Sequence, residues 1–329
     1  MPPILLALKN AQVFSADGVE SWFFDDRGFV YGDGYFDTMR SYEETIPLWE
    51  YHRERMLCSA KSLLFFEDYQ QQGVFENCID QSYLYISEWL KKNTSKFSSD
   101  FFIKFIVTRG ERSAGSYALE KSNINVYVSV KAFSERPYVN TSIKLVASPL
   151  ILQNSEILSG IKHLNRLDYI LAAKACFLND SDLIDTQVLF VNNEHNIVET
   201  MHHNIYVMLD GKLLTPNLEK LGVNGVMRRY IFDVCESENF SEIIEKNISL
   251  SDLSSASSVF LSNAVDGMVK VSKISVPNVF STTLSELKSH SVKYCDISKP
   301  VDDVSSHDEL SSFAVKERFS FGRFSKNNI

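Results

Sequence analysis

The sequence predicts an α/β fold (α+β) in two domains, a small N-terminal α/β domain and a larger, β-rich C-terminal domain. A chain of 329 residues is longer than one hydrophobic core usually supports. Helical and strand patterns alternate in the first part, whereas short β-branched and aromatic runs dominate the second. The polar segment 134–141, with Pro137, is the predicted linker between domains 1–133 and 142–297.

The N-terminal domain is predicted element by element from its periodicity. A Gly-Asp-Gly turn at 32–34 precedes a segment, ending near Arg40, that the pattern leaves open between helix and extended chain. Apolar residues at helical spacing and β-rich runs then alternate. The elements predicted from them are helices over 53–64 and 81–91 and buried strands over 101–107 and 124–130.

The C-terminal domain is predicted to contain mostly strands. A long helix is expected just after Lys162, because Leu164, Leu167 and Leu171 recur at helical spacing. The Asp210-Gly211 pair between two apolar runs predicts a type I′ hairpin. Further predicted elements are strands over 143–148, 187–191, 197–199, 205–209, 212–214, 259–262 and 269–274, a helix over 226–235, and a poorly ordered polar tail over 298–329.

Composition excludes several function classes. A net charge of −9 without a lysine- and arginine-rich stripe argues against nucleic-acid binding. The apolar run 4–8 is too short to span a membrane and lacks the basic lead-in of a signal peptide. The five cysteines are scattered and lack metal-ligand spacing. We therefore expect a soluble, cytoplasmic protein with free thiols and no metal, acting on a small molecule.

Lys162 is the first candidate catalytic residue. A lysine held in a structured pocket just ahead of a helix can lose its proton and act as an amine nucleophile. The alternative is an ordinary surface lysine at a helix entrance. The residue alone does not decide between the two interpretations, but its companions in the chain do.

Two features suit a phosphate. Gly222 and Gly225 bracket a turn into the helix predicted over 226–235, and backbone N–H groups at a helix N-terminus bind anions. Arg55, near the start of an earlier helix, can clamp a phosphate with two parallel hydrogen bonds. Each feature has an ordinary alternative: the two glycines could simply form a tight turn, and Arg55 could be an exposed helix residue.

Glu199 and a polar turn complete the candidate residues. Glu199 ends a predicted strand in apolar surroundings, where it either pairs with a protonated ring nitrogen or faces water. Asn263 and Ala264 follow a strand directly and can offer N–H groups to an anion. A nucleophilic lysine, a phosphate site and an acid for a ring nitrogen together indicate a pyridoxal phosphate pocket.

Several motifs, spread over most of the chain, also indicate a pyridoxal phosphate pocket. They are Asp26-Arg27-Gly28, Tyr31-Gly32-Asp33-Gly34, His52 with Arg55, Gly160-Ile161-Lys162-His163-Leu164-Asn165-Arg166-Leu167, Val198-Glu199-Thr200, and Gly222 through Arg228. With them the chain resembles the fold-type IV pyridoxal phosphate enzymes, the class IV aminotransferase family. The resemblance implies that family's two-domain architecture.

Each role that the resemblance implies falls on a candidate above. Lys162 would hold the cofactor, pyridoxal 5′-phosphate, as a Schiff base and serve as general base. Arg55 would bind its phosphate and Glu199 would meet its pyridine nitrogen. The backbone amides that would assist phosphate binding are those of Val226, Met227, Asn263 and Ala264.

Within the family the motifs are most similar to lyases that convert 4-amino-4-deoxychorismate to 4-aminobenzoate and pyruvate, on the route to folate. The resemblance implies a homodimer with its pocket between the domains, and Thr38 as candidate proton donor to the leaving group. A substrate with two carboxylates needs cationic partners. The residues predicted to contact it are Tyr31, Arg109 and Arg112.

Two places depart from the lyase pattern and leave the substrate open. They are the loop 109–117 and the bulky pair His202-His203. Adjacent strand residues point to opposite faces, so packing or cofactor contact is favoured over metal binding for the histidines. One alternative is an aminotransferase of the same fold acting on branched-chain or D-amino acids and 2-oxo acids. Another is a non-catalytic homologue that binds the cofactor or a partner.

Overall fold

A computed structural model of the protein describes two compact units. The first unit comprises the described residues up to 133 together with Lys162–Asn165, and the second comprises the remainder. The described residues are 4–13, 25–97, 100–111, 123–133, 142–176, 185–237, 243–283, 285, 287 and 292–297. The predicted linker 134–141 and tail 298–329 lie outside them, so those boundaries stay predictions.

The first unit is built on an antiparallel sheet in which five strands are described, in the order β2-β1-β5-β4-β3. The strands are β1 Ile4–Lys9, β2 Gln12–Val13, β3 Gly34–Arg40, β4 Phe101–Thr108 and β5 Asn125–Ala132. The segment left open by the sequence pattern is therefore a strand. Its side chains alternate, since Tyr35, Asp37 and Met39 are buried while Phe36 and Thr38 are half-buried.

Helices cover the face of this sheet to which the buried side chains point. They are α1 Arg27–Tyr31, α2 Trp49–Ser62 and α3 Tyr69–Phe97. The helices predicted over 53–64 and 81–91 are present, but the observed helices begin earlier, at Trp49 and Tyr69. In α3 the glutamines around Gly73 obscure the helical pattern, although Phe75 and Ile79 are buried in the core.

The second unit contains a mixed sheet of nine described strands. Eight follow the order β11-β10-β9-β12-β13-β6-β7-β8, and β14 pairs with β13. The strands are β6 Ile143–Ala147, β7 Thr186–Val191, β8 Ile197–Thr200, β9 Asn204–Leu209, β10 Lys212–Pro216, β11 Ile243–Lys246, β12 Ser258–Asn263, β13 Gly267–Pro277 and β14 Tyr294–Asp296. The helices are α4 Leu167–Lys174, α5 Val226–Ser237 and α6 Leu250–Ser255.

The hairpin prediction is confirmed in detail. Strands β9 and β10 pair antiparallel, and the turn residues Asp210 and Gly211 have φ angles of 51° and 73°. Positive φ at both positions is what a type I′ turn requires, and glycine adopts it without steric cost. On its other side β9 pairs antiparallel with β12.

The helix predicted immediately after Lys162 is wrong in its start. Helix α4 begins only at Leu167, whose side chain is 67% exposed. Leu164 instead donates its backbone N–H to the carbonyl oxygen of Gly34 at 2.9 Å. Backbone pairing with β3 therefore outweighs the helical spacing of the leucines. Among the helices of the described residues, none is long and apolar enough to cross a membrane.

Candidate active site

Asp26 fixes the turn that leads into β3. One carboxylate oxygen accepts the Gly28 amide at 2.7 Å as the cap of α1, and the other accepts the hydroxyls of Thr108 and Tyr127 at 2.8 Å. Burial raises the pKa of the Tyr127 hydroxyl, and Asp26 raises it further. The network ties α1 to β4 and β5, so the start of β3 has a defined position. This accounts physically for the Asp-Arg-Gly motif.

Arg109, a predicted substrate contact, lies within a network of internal hydrogen bonds. Its Nε donates to Asp33 at 3.0 Å, and its two terminal nitrogens donate to the carbonyl oxygens of Leu63 and Leu64 at 2.7 Å. The residue is 7% exposed. These contacts favour a structural role that links the turn before β3 to the end of α2. Arg112 lies outside the described residues.

Arg55 lies on the buried side of α2 and pairs with Asp37 of β3. Its Nε and Nη2 donate to the two carboxylate oxygens of Asp37 at 2.9 and 2.7 Å, which is a bidentate fork. His52 contacts the same carboxylate through Nδ1 at 2.6 Å. The sequence pointed to Arg55 but missed Asp37, because the partner lies mid-strand with no motif around it.

Lys162 lies on a short extended segment beside β3. Its carbonyl oxygen accepts the Phe36 amide at 2.9 Å, and Asn165 donates its side-chain amide to the Gly32 carbonyl at 3.1 Å. The Lys162 side chain is half-buried, and its Nζ lies 4.7 Å from the centroid of the Phe36 ring. A Cβ on Gly34 would come within 2.4 Å of the Val107 carbonyl oxygen, so this close approach requires glycine.

Lys104 of β4 is a second lysine at the same ring. Its Nζ also lies 4.7 Å from the Phe36 centroid, and it stands directly opposite Thr38 in the β3–β4 register. Burial, reinforced by the charge of Lys131, lowers the pKa of Lys104. Thr38, Phe36 and Lys104 are all half-buried on one face of the sheet. Tyr31, predicted to contact substrate, is half-buried at the end of α1.

Glu199, on β8 of the second unit, is buried. It is 5% exposed, so the water-facing alternative is wrong. One carboxylate oxygen accepts the Val223 amide at 2.9 Å. Burial raises the pKa of the Tyr169 hydroxyl, and the carboxylate of Glu199, to which this hydroxyl donates, raises it further. The carboxylate is thus held by groups on α4 and on the turn before α5.

The turn from Gly222 to Gly225 is fixed by pairing with Gly160. Gly160 donates to the Gly222 carbonyl at 2.8 Å and accepts the Asn224 amide at 3.0 Å. Gly160 and Gly222 have φ angles of 78° and 108°, a region that favours glycine. Asn204 of β9 supports the same turn by donating to the Val223 carbonyl at 2.8 Å.

Helix α5 begins directly after this turn and offers backbone donors. The bond from the Arg229 amide to the Gly225 carbonyl, 3.0 Å long, closes the first helical turn. The amides of Val226 and Met227 precede it and have no carbonyl available within the helix. An anion is favoured at such an end, both by these donors and by the helix dipole.

The turn between β12 and β13 holds Asn263 and Ala264. The Asn263 side chain closes it internally, accepting the amides of Val265 and Asp266 at 2.8 and 2.6 Å. Ala264 lies at the half-buried tip. His203 contacts the Asp266 carboxylate at 3.0 Å, and both side chains are fully buried.

Comparisons with known proteins identify the family. Residues 34–274 match the model of the family described as amino-transferase class IV. An aminodeoxychorismate lyase of Vibrio harveyi is 29% identical over 260 residues, which cover 77% of this chain and 87% of the relative. The family match includes Lys162 and Glu199.

Solved structures share the fold. A 4-amino-4-deoxychorismate lyase from Pseudomonas aeruginosa superposes with a TM-score of 0.67 at 26% identity, covering 86% of this chain and 97% of that one. A hypothetical aminotransferase from Mycobacterium tuberculosis in its PLP-bound form gives a TM-score of 0.65 at 16% identity, covering 82% and 90%. At that identity the second likeness concerns the fold alone. The predicted two-domain architecture is confirmed.

Proposed function

Because this chain belongs to the class IV aminotransferase family, we propose that it is a pyridoxal phosphate-dependent lyase. Its reaction would convert 4-amino-4-deoxychorismate to 4-aminobenzoate and pyruvate, a step towards folate. The observation that carries the proposal is at the Phe36 ring, where the Nζ atoms of Lys162 and Lys104 both lie 4.7 Å from the ring centroid and Thr38 stands opposite Lys104 in the β3–β4 register. A base, a proton donor and a cation for a carboxylate are the groups that this reaction needs. The similarity to the Vibrio harveyi lyase supports the same choice.

The chemistry of the donor groups fits the cofactor. A half-buried primary amine, Lys162, suits its aldehyde. The guanidinium of Arg55 and the N-terminal amides of α5, at Val226 and Met227, suit its phosphate. The buried carboxylate of Glu199 suits its ring nitrogen in the protonated form. We propose that these residues hold it, with the amides of Asn263 and Ala264 as further contacts.

Glu199 would hold a proton on the ring nitrogen. When bound, the cofactor supplies an electron sink that stabilises negative charge on the substrate. That role needs a positively charged ring, and a buried carboxylate favours the charged form of a neighbour. The Val223 amide and the Tyr169 hydroxyl keep the Glu199 carboxylate oriented. The protein thus tunes the ring by position and charge.

Lys162 would remove a proton from the substrate ring, and Thr38 would deliver one to the departing enolpyruvyl group. A lysine amine acts as a base only when it is uncharged. The Thr38 hydroxyl can donate and accept in turn. Aromaticity of the 4-aminobenzoate product favours the elimination.

Lys104 would bind one of the two substrate carboxylates. It is the cation that the sequence interpretation missed, and it stands opposite Thr38. Arg109 is held by Asp33 and by two carbonyl groups, so we assign the second carboxylate to Arg112. Under this assignment the loop 109–117 decides the substrate, as its departure from the lyase pattern indicates.

The test is pyruvate release. Purified protein loaded with pyridoxal phosphate is incubated with 4-amino-4-deoxychorismate, and pyruvate is followed by lactate dehydrogenase. We expect release that depends on the enzyme and is absent from a parallel Lys162→Met preparation, which controls for contaminants. Amino-group transfer to 2-oxoglutarate with a higher kcat/KM would overturn the lyase and favour the aminotransferase. If neither pyruvate release nor amino-group transfer is observed, the non-catalytic homologue is favoured.

We also propose a cytoplasmic homodimer. The five cysteines are separate thiols, which suits a reducing compartment. The family resemblance supports a dimer, and light scattering of the purified protein tests it. A monomer at micromolar concentration that still releases pyruvate would contradict this assignment.

A further inference from the structure

Three buried polar side chains meet on the inner face of the first unit's sheet. Asp37 and His52 are 1% exposed and Arg55 is 9% exposed. His52 and Arg55 stand three positions apart on α2, so both side chains project from the same side of the helix towards β3. Asp37 accepts from both, with nitrogen–oxygen distances between 2.6 and 2.9 Å. The reaction proposed above uses Arg55 but gives Asp37 and His52 no role.

The carboxylate of Asp37 is charged inside the protein. Burial by itself would raise its pKa, but the Arg55 guanidinium and His52 outweigh burial and hold the pKa well below the usual range. A buried carboxylate with such partners is costly to leave unpaired. The three side chains are therefore held together by their mutual contacts, and these contacts fix the orientation of Arg55.

The fork leaves only one orientation to the guanidinium. Asp37 takes the Nε and Nη2 nitrogens, and because the group is planar and rigid its remaining edge has a set direction. We propose that Asp37 and His52 are positioning residues, which hold the Arg55 guanidinium in the orientation in which it binds the cofactor phosphate. They would thereby give the protein its preference for the phosphorylated cofactor over pyridoxal. This inference rests on the proposed function.

The chain offers a matched control on the same helix. Arg53 makes an equivalent fork with Asp80, with distances of 2.7 and 2.9 Å. That pair is less buried, with side chains 27% and 41% exposed. Asp37→Asn and Asp80→Asn are therefore the same chemical change made to two forks on α2, one fully buried and one part-buried.

The experiment measures affinity for two probes. Pyridoxal phosphate and pyridoxal are titrated separately into cofactor-free protein, and binding is followed by visible absorbance. In Asp37→Asn we expect pyridoxal phosphate to bind about tenfold more weakly, because a charge-assisted contact has lost its orientation. Pyridoxal affinity should stay unchanged, since it has no phosphate to lose. Asp80→Asn should match the wild type with both probes, and His52→Gln should show a smaller phosphate-specific loss than Asp37→Asn.

Two outcomes separate this inference from the proposed function. If Arg55→Ala lowers the phosphate preference but Asp37→Asn retains it in full, the inference is overturned and the cofactor assignment stands. If the wild type binds neither probe, the proposed function fails as well. Should Asp37→Asn not fold, Asp37→Glu keeps the charge and shifts the carboxylate by one methylene. An unaltered phosphate preference in Asp37→Glu and in His52→Gln would then refute positioning.

Discussion

Lys162 and Lys104 bring their amines to the same distance from one aromatic ring, yet from different kinds of backbone. Both Nζ atoms lie 4.7 Å from the Phe36 centroid. Lys104 is in the middle of β4, paired on both sides by β3 and β5. Lys162 is on a short segment attached to the edge strand β3 by a few backbone bonds. Distance to the ring therefore does not by itself identify the reactive lysine.

The difference lies in what each backbone allows. A lysine on a central strand holds its charge at a defined point, which suits binding of a carboxylate. A lysine on a separate segment can attach to a cofactor and later be released from it with only local movement. We therefore assign attachment of the cofactor and proton removal to Lys162 and electrostatic binding to Lys104.

The largest expected effect is that of Lys162→Met. Loss of the covalent contact and of the base should lower kcat for pyruvate release by about 10³-fold or more. Methionine keeps the length and apolar body of the side chain against Phe36, so the fold should be retained. Steady-state kinetics and thermal unfolding check both expectations. Retention of more than a tenth of the wild-type kcat would contradict the assignment of cofactor attachment and proton removal to Lys162.

Lys104→Met is the matched change at the second lysine. We expect KM for 4-amino-4-deoxychorismate to rise about tenfold, the value of one charge-assisted contact, with a smaller change in kcat. The visible absorbance band of the bound cofactor should persist. Loss of the absorbance band, or a fall in kcat as large as that of Lys162→Met, would show that the covalent role belongs to Lys104 and not to Lys162.

Phe36→Leu removes the ring that both amines contact. An ammonium over an aromatic face at a partly exposed site is worth about 0.5–1 kcal/mol, so a loss of roughly threefold in kcat/KM is expected. The cofactor band should remain. Wild-type kinetics in this variant would show that the ring only fills space.

Lys131→Ala has the smallest expected effect, a shift in pH dependence. The Lys131 charge contributes to the lowered pKa of Lys104, so its removal should raise that pKa. KM should increase at alkaline pH as Lys104 loses its proton, and in the variant this increase should move to higher pH. A profile of KM between about pH 7 and pH 10 measures the shift. A shift to lower pH would refute the coupling.

The sequence predicts much of the fold because many elements depend on local signals. The hairpin at Asp210-Gly211 and the strand β8, which holds Glu199, follow from turn chemistry and from β-branched runs. The start of α4 does not follow, because the bond from Leu164 to Gly34 joins residues far apart in the chain. Periodicity cannot reveal such a competitor.

The candidate site also contains residues that local sequence signals reveal and residues that depend on contacts between distant parts of the chain. Lys162, Glu199 and Arg55 stand in motifs that carry the family resemblance, so the sequence alone singles them out as candidates. Lys104 depends on the β3–β4 register, which places it opposite Thr38. Asp37 depends on the approach of α2 to β3. Two of the partners of Arg109 are backbone carbonyls, which carry no sequence signal.

Mapping of the cofactor attachment site tests the central claim most directly. The loaded protein is treated with borohydride, digested, and its peptides are identified by mass spectrometry. We predict that the cofactor-derived mass is found on the peptide that contains Lys162 and that the Lys104 peptide is unmodified. Modification of Lys104 in place of Lys162, or of neither lysine in a protein with a visible cofactor band, would contradict the account.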